Sequence, residues 1–426
     1  MIAAIAIALI GLPYCSVTDV AVAPGSSGDF VWIMVCSALV FMMVPALAFF
    51  YGGMLRKQSM GSIMAQVLAA IVVMSLVWVI CGFSLAFATD GPVIGSLDYF
   101  MFNGLLAGGA PSDSSTLSFA VFQMMFAVIT CAIIIGSCAE RVRFAAIMLI
   151  LVLWSVFVYV PVAHWIWGGG FLSANLPMVD FAGGIVIHIL AGASGLALAV
   201  VAGPRKAHIR KARPHNIPFV FIGGMLLWVG WFGFNGGSGL YGDGVAIRAI
   251  FISHLAGAAG AASWMVCQYI STGRVNVMGI ITGAIAGLGS ITPMAGYVEA
   301  PSAIVVGMVG GILCHYAIAF MRSRKNVDDA LDVFGLHGIS GIWGSIATGI
   351  FACGALTPGG LDGLMYGGTE LIVGQIAASL FVLVYVFAVT YAIGFLVSKI
   401  MVLRVSDNCE VIGQDLAEHG EPAYSM

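Results

Sequence analysis

DFAGGIVIHILAGASG, residues 180–195, sets an aspartate and a histidine inside an otherwise apolar run. An ionisable side chain within a membrane helix is expensive, so its presence there points to function. DVFGLHG at 332–338 echoes the pattern, with an aspartate again ahead of a histidine at the start of an apolar segment. His188 and His337 thus stand one in each half of the chain.

Composition puts these runs in a membrane. Of 426 residues, 61% are hydrophobic and 8% charged, where a soluble chain carries about 25% charged residues. The 56 glycines suit helices whose backbones approach closely in lipid. The net charge of -3 sits almost entirely in loops and says little about partners; no nucleic-acid partner is expected. The nine cysteines are scattered without a CxxC pair, so neither a zinc site nor a disulfide framework is suggested. They read as small apolar residues. No metal or other cofactor is expected.

A span needs about 20 apolar residues. Runs of that kind fall near 30–55, 61–88, 117–137, 144–164, 181–203, 217–239, 246–270, 276–294, 301–321, 333–353 and 369–402. The fold class expected is therefore an all-α polytopic membrane protein with eleven transmembrane helices. Residues 2–12 are too short to span and resemble a signal-peptide core, with AVA at 21–23 as the cleavage candidate. The expected organisation is a signal peptide at 1–23, a membrane domain at 24–404 and a cytoplasmic tail at 405–426.

Basic residues mark cytoplasmic loops. With the N-terminus outside and the C-terminus inside, 15 of the 16 Lys and Arg residues fall on the inner side, and Arg248 alone falls outside. The location expected is the cell's inner (plasma) membrane, crossed many times and surrounded by lipid. Five helices, five more and one long final helix suggest two inverted five-helix repeats, with a substrate site near the midplane between them. FYGG at 50–53 and FGFNGGS at 232–238 occupy matching places, as do Asp180/His188 and Asp332/His337. By helix rise, His188 would lie about 12 Å in from the outer end of the fifth span and His337 about 8 Å in from the inner end of the tenth.

A neutral imidazole pair can pass a proton, one nitrogen donating and the other accepting. A narrow apolar pore would disfavour the ionised form of a bound weak base. His164, His254 and His315, with no such matching, read as histidines bonded to backbone carbonyls. Asp180 reads as a helix cap that also biases the outer vestibule toward cations. Trp165, Trp167, Trp231, Phe232 and Phe234 cluster near the expected outer mouth. They suit an interfacial aromatic belt or, with Ser238 as acceptor, a cation–π site for a small cation.

From Ala38 to Tyr424 the sequence resembles the Amt/Mep/Rh ammonium transporters, in particular the bacterial Amt branch. The motifs are PALAFFYGG (45–53), GSCAERVRF (136–144), PVAHWIWGGG (161–170), DFAGGIVIH (180–188), PHNIPFVFIGG (215–224), WFGFNGGS (231–238), GAIAGL (283–288), ITPMAGYV (291–298) and DVFGLHG (332–338). The resemblance implies a homotrimer in which each subunit has its own pore. Phe126, Trp167 and Ser238 would recruit ammonium, and Phe126 and Phe234 would be stacked rings closing the pore beneath. His188 and His337 would be the twin pore histidines. Asp180 would support the outer site, and Phe122, Tyr159 and Trp231 would line the vestibule or pore. The resemblance also implies deprotonation of NH4+, passage of NH3 with electrogenic proton transfer, and a PII-type signalling protein docking at the tail. The alternatives are a Rh-like neutral-gas channel and an ammonium sensor; no output domain follows the tail, which counts against a fused sensor. An intramembrane enzyme is disfavoured, since no nucleophile or metal-ligand motif accompanies the histidines.

Overall fold

Eleven helical segments follow the apolar runs in the computed structural model, which describes residues 25–88, 91–105 and 111–424. The candidate signal peptide lies outside these residues. The segments are α1 Ser27–Met54, α2 Lys57–Phe87, α3 Ser114–Cys138, α4 144–166, α5 Gly184–Ala202, α6 Ile217–Gly237, α7 Gly244–Thr272, α8 Val277–Met294 and α9 Ala300–Ser323. Then come α10, made of Phe334–Gly338 and Ile339–Phe351, and α11 Glu370–Ile400. Two short tail helices follow, α12 Asp407–Ile412 and α13 Gln414–His419. No strand occurs among the described residues, only an isolated bridge between Val142 and Arg404. The chain is an all-helical, multi-pass membrane protein.

Ten of these helices are long and apolar enough to cross a membrane. The tenth in order, α10, is not among them. Its glycines, serines and His337 dilute the apolar content of a short helix, so hydropathy alone does not mark it as a span. Side-chain caps fix several helix starts. Asp243 accepts from the N–H of Val245 and of Ala246 at α7, Asn216 accepts from Phe219 N at α6, and Ser26 forms a capping box with Asp29 at α1. Each satisfies donors that the helix itself leaves free.

The segments expected to correspond in the two halves pack on each other, α1 along α6 and α5 against α10. At the second contact Gly192 meets Gly338 so closely that a Cβ on Gly192 would overlap the Gly338 backbone. The two histidine-bearing helices therefore cross backbone on backbone.

One helix start and one opening carboxylate differ from expectation. α5 begins at Gly184, because residues 180–183 form a turn with Gly183 at φ 107° that lets the Asp180 carboxylate fold back onto the first helical N–H groups. His188 is thus four residues into its helix, about 6 Å rather than 12 Å. At α10 the capping carboxylate is Asp329, which accepts from Phe334 N at 2.7 Å. Asp332 turns away at φ 57° and pairs with Arg322.

At the end of the molecule carrying the tail, Glu140 takes Arg56 at 2.8 Å and Arg205 at 2.7 Å, and Arg205 also takes Asp328 at 2.8 Å. The tail joins this network. Glu410, fully buried, accepts from Arg404 and from Lys206 N, while its carbonyl and that of Val411 accept from Arg56. Gln414 donates to the Val142 carbonyl, and Asp415 accepts from Ser62 N. The tail is thereby bonded into the helix ends rather than hanging from α11.

Candidate functional site

Asp180 starts the site. One of its carboxylate oxygens accepts from Gly183 N at 3.0 Å and Gly184 N at 2.6 Å, and the other from Ile185 N at 2.8 Å and Val186 N at 3.1 Å. A carboxylate at a helix N-terminus is favoured by the free N–H groups and by the dipole. All of its bonds go to the backbone that carries His188, so it acts by holding that turn. Its own carbonyl accepts from Trp167 Nε1 at 2.8 Å. The turn before α5 therefore positions both a mouth residue and a deep one.

From Trp167 the rings run inward in a column. Trp167 lies 6.0 Å from Phe126, and Phe126 lies 4.5 Å from Phe234. Phe122 adds an edge contact to Phe126 at 4.7 Å. The Phe126 and Phe234 planes meet at 70°, edge to face rather than as the stacked plates expected. Ring quadrupoles favour that arrangement over face-to-face overlap. Trp167 and Ser238 are partly exposed, whereas Phe126 and Phe234 are each only 1% exposed; the column thus runs from a partly exposed end to a buried one. Ser238 donates its hydroxyl to the Phe234 carbonyl at 2.9 Å, which leaves its lone pairs free to accept.

Below the phenylalanines lie the histidines. Phe234 and Trp231 both lie near parallel to His188, at 6.1 and 5.6 Å between centroids. His188 Nδ1 is 3.2 Å from His337 Nδ1. Their planes differ by 10° and their centroids are 5.4 Å apart. With the nitrogens that much closer than the centroids, the rings lie edge to edge in nearly one plane. A bond between two Nδ1 atoms requires one ring to donate and the other to accept, so the bonded pair cannot carry a proton on both of these nitrogens. His188 Nε2 is buried without a partner. Beside the pair is a cavity lined by Phe50, His188, Trp231, Phe234, Ile285 and His337, with about 10 Å³ open to the centre of a water-sized molecule. That is room for about one small molecule.

Tyr159 stands apart. Its ring packs on Trp78 and Trp154, each at 6.0 Å, and it is not among the residues lining this cavity. His164 meets the expectation of a structural histidine, bonded to the Ala86 and Gly91 carbonyls. His254 and His315 do not. His254 lies against Trp228 and Phe232, and His315 against Trp264 with its Nδ1 unpartnered. Aromatic faces take the place of the carbonyls there.

Two residues escaped the sequence reading. Asp329 holds the start of α10 as Asp180 holds α5; the spacing Asp329 to His337 equals that of Asp180 to His188 and could have exposed it. Thr292 accepts from Trp231 Nε1 at 3.0 Å; it falls within the ITPMAGYV motif, but nothing in the sequence singles it out there. On the far side of the histidines, Asp329 and Asp332 line a vestibule of about 700 Å³ with Arg56, Glu140, Arg205 and Asp328.

Residues 31–424 match the family model described as Ammonium Transporter Family. An ammonium transporter of Bacillus subtilis is 46% identical over 401 residues, 93% of this chain and 98% of that protein. The crystal structure of Saccharomyces cerevisiae Mep2 is similar at a TM-score of 0.83, with 34% identity, 91% of this chain and 89% of that one covered. A solved structure titled Sensor Amt Protein is similar at 0.84, with 27% identity and 92% and 98% coverage.

Proposed function

Because this chain belongs to the ammonium transporter family, we propose that it recruits NH4+ at the Trp167–Ser238 mouth, removes its proton and passes NH3 along the histidine pair. Phe126 completes the mouth, and Phe126 with Phe234 gates the way below it. A cation at the mouth gains from the indole face and from the Ser238 lone pairs. Beneath the phenylalanines the lining is apolar, and a bare ion is strongly disfavoured there. Neutral NH3 meets a far lower barrier. The proton left behind needs a polar path, and the His188–His337 pair offers one acceptor and one donor in line.

The observation that carries this reading is the unbroken run of rings from Trp167 to a histidine pair 3.2 Å apart beside a cavity for one small molecule. Asp180 holds the mouth and the deep turn together. Phe122 and Trp231 wall the column; Tyr159, packed on Trp78 and Trp154, is left out of it.

The same reading takes α10 as the eleventh span, with the N-terminus outside, the C-terminus inside and the chain in the inner membrane as a homotrimer. It takes 24–404 as the membrane domain and 405–426 as a regulatory tail against which a PII-type protein docks, beside the charged vestibule.

Current measured on a solid-supported membrane after an ammonium pulse tests the proposal. A transient current that rises with ammonium concentration supports it. Likeness to the structure titled as a sensor favours a second reading, in which ammonium binds without flux. Binding of labelled methylammonium with neither current nor uptake would select that reading.

A further inference from the structure

Thr292 closes a chain of contacts that ends at the histidine pair. It lies near the C-terminal end of α8, fully buried. Its hydroxyl donates to the Leu288 carbonyl at 2.7 Å. That bond fixes the direction of the hydroxyl proton, so the oxygen presents its lone pairs to Trp231 Nε1, which donates to it at 3.0 Å. An indole N–H is a donor only and seeks a partner when buried. Trp231 is 2% exposed, and this is the bond its nitrogen makes. The indole so held lies within 18° of parallel to His188, at 5.6 Å.

We infer that Thr292 is a positioning residue for the histidine pair: by anchoring Trp231 Nε1 it fixes the indole, and the indole fixes the tilt at which His188 Nδ1 meets His337 Nδ1. The backbone settles where His188 starts, through Asp180 and the crossing of α5 with α10. It leaves the ring's rotation about its side-chain bonds open. The surfaces that close that freedom are the rings of Trp231 and Phe234, and Trp231 is the one whose own rotation is pinned by a polar bond. Four helices meet in this relay, α8 through Thr292, α6 through Trp231, α5 through His188 and α10 through His337. The inference rests on the reading that the histidine pair handles the ammonium proton.

The test is a cycle of variants in liposomes with two readouts. Ammonium-evoked current is compared among wild type, Thr292→Val, Thr292→Ser, Trp231→Phe and the Trp231→Phe/Thr292→Val double variant, all checked for folding by size exclusion. Valine keeps the shape and loses the acceptor; serine keeps the acceptor. Thr292→Val is expected to lower the current by about tenfold to a hundredfold, the scale on which a small misplacement acts, and Thr292→Ser to restore most of it. In the Trp231→Phe background, Thr292→Val is expected to add nothing, because the bond is already gone. The second readout is the nitrogen spectrum of 15N-histidine-labelled protein. Thr292→Val and Trp231→Phe should shift the His188 Nδ1 signal alike, and Thr292→Ser should leave it in place. An unmoved signal in Thr292→Val overturns the inference, as does a full additive loss in the double variant. Should Trp231→Phe abolish current outright, the spectra decide. They decide also if the histidines prove irrelevant to flux, since ring position is read there without transport.

Discussion

Asp180 and Asp329 stand the same distance ahead of His188 and His337, and each accepts the N–H of the fifth residue on, Ile185 at 2.8 Å and Phe334 at 2.7 Å. The chain thus uses one device twice, a carboxylate that folds back onto a helix start and sets a histidine at fixed depth. Asp332, although nearer to His337 in sequence, is tied to Arg322, whose side chain is 59% exposed. Asp332 itself is buried, so the pair is open to solvent on the arginine side alone, and its bonds serve Arg322 rather than the helix start. Asp329→Ala, which removes the acceptor, is therefore expected to cut ammonium current and to destabilise the protein by about 1–3 kcal/mol, the cost of unmade buried bonds, while Asp332→Ala leaves the start of α10 and the current near wild type. Thermal unfolding and current on both variants check this; a larger loss of current in Asp332→Ala would reverse the assignment.

At the mouth, Trp167→Leu removes the indole face and with it roughly 0.5–2 kcal/mol of cation–π attraction. The expected outcome is a higher half-saturating ammonium concentration, by about twofold to thirtyfold, at little change in saturating flux. The bond from Trp167 Nε1 to the Asp180 carbonyl is lost in Trp167→Phe as well, so comparing the two separates the ring's face from its N–H. Wild-type uptake at every concentration in Trp167→Leu would return the residue to an interfacial belt.

The tail carries a third expectation. Glu410 is buried and takes bonds from Arg404 and Lys206 N. Arg404 is 31% exposed, so the loss is set mainly by the buried donors left without an acceptor, about 1–3 kcal/mol. Glu410→Ala should therefore release α12 and α13 from the helix ends, and cleavage by a glutamate-specific protease after Glu418 should accelerate. Truncation after Arg404 should leave the membrane helices folded and abolish binding of a purified PII-type protein. Binding at full strength to the truncated chain would remove the tail from that role.

Acid and neutral pH should act on two neighbouring carboxyls in opposite senses. Burial works against ionisation of Asp328, but its bonds to Arg205 and the charges of Arg205 and Arg141 prevail and hold it at about 2, below its ordinary 3.8. Its contribution to stability is complete above that ordinary value and is lost as pH falls toward about 2. Asp329 is pushed up to about 7 by burial and then by the charge of Asp332, against the N–H bonds of Phe334 and Val333. Its contribution is complete below 3.8 and is lost as pH rises through about 7. Thermal unfolding in detergent across this range should show Asp328→Asn flattening the acid limb and Asp329→Asn the limb toward neutrality. A neutral limb unchanged in Asp329→Asn would refute the shift.

What the sequence made legible follows from how each feature is encoded. Spans are written in hydropathy, and every expected run became a helix. α10 shows the limit, because the glycines that let α5 and α10 touch, Gly192 and Gly338, belong to a composition that also lowers hydropathy. Trp167, Trp231, Phe234 and both histidines stand in motifs, whereas Phe122 and Phe126 stand in none and followed from the resemblance as a whole; the ring angles were legible in neither, since edge-to-face packing of Phe126 on Phe234 depends on their neighbours in the fold. The start of α5 was placed too early, and Asp332 was taken for the carboxylate opening α10, because Asp180 and Asp329 cap at a distance, across a turn that apolar periodicity does not register. Thr292 was invisible, for a threonine in an apolar helix more often bonds its own backbone, as Thr292 does with Leu288, and only the fold brings Trp231 to its other side.

The pair itself gives the last prediction. His188 and His337 are bonded Nδ1 to Nδ1 in a lining that is otherwise apolar, and an ion crossing that lining whole would lose its hydration without replacement. If the pair separates NH3 from its proton, a double replacement by leucine should abolish the ammonium-evoked current while leaving a folded, monodisperse protein. A net hydrogen bond of this kind is worth only about 0.5–1.5 kcal/mol, so its loss should not unfold a chain of this size. Aspartate at one of the two positions should have a different effect. A carboxylate compensates a whole cation directly, so flux should persist and selectivity should fall, with K+ beginning to carry current. The measurements are currents evoked by ammonium and by K+ in liposomes for wild type, both single aspartate variants and the double leucine variant. Ammonium-selective current of wild-type size in the double leucine variant would leave the histidines a structural part only. K+ exclusion in both aspartate variants would move the selectivity step outward to the phenylalanines.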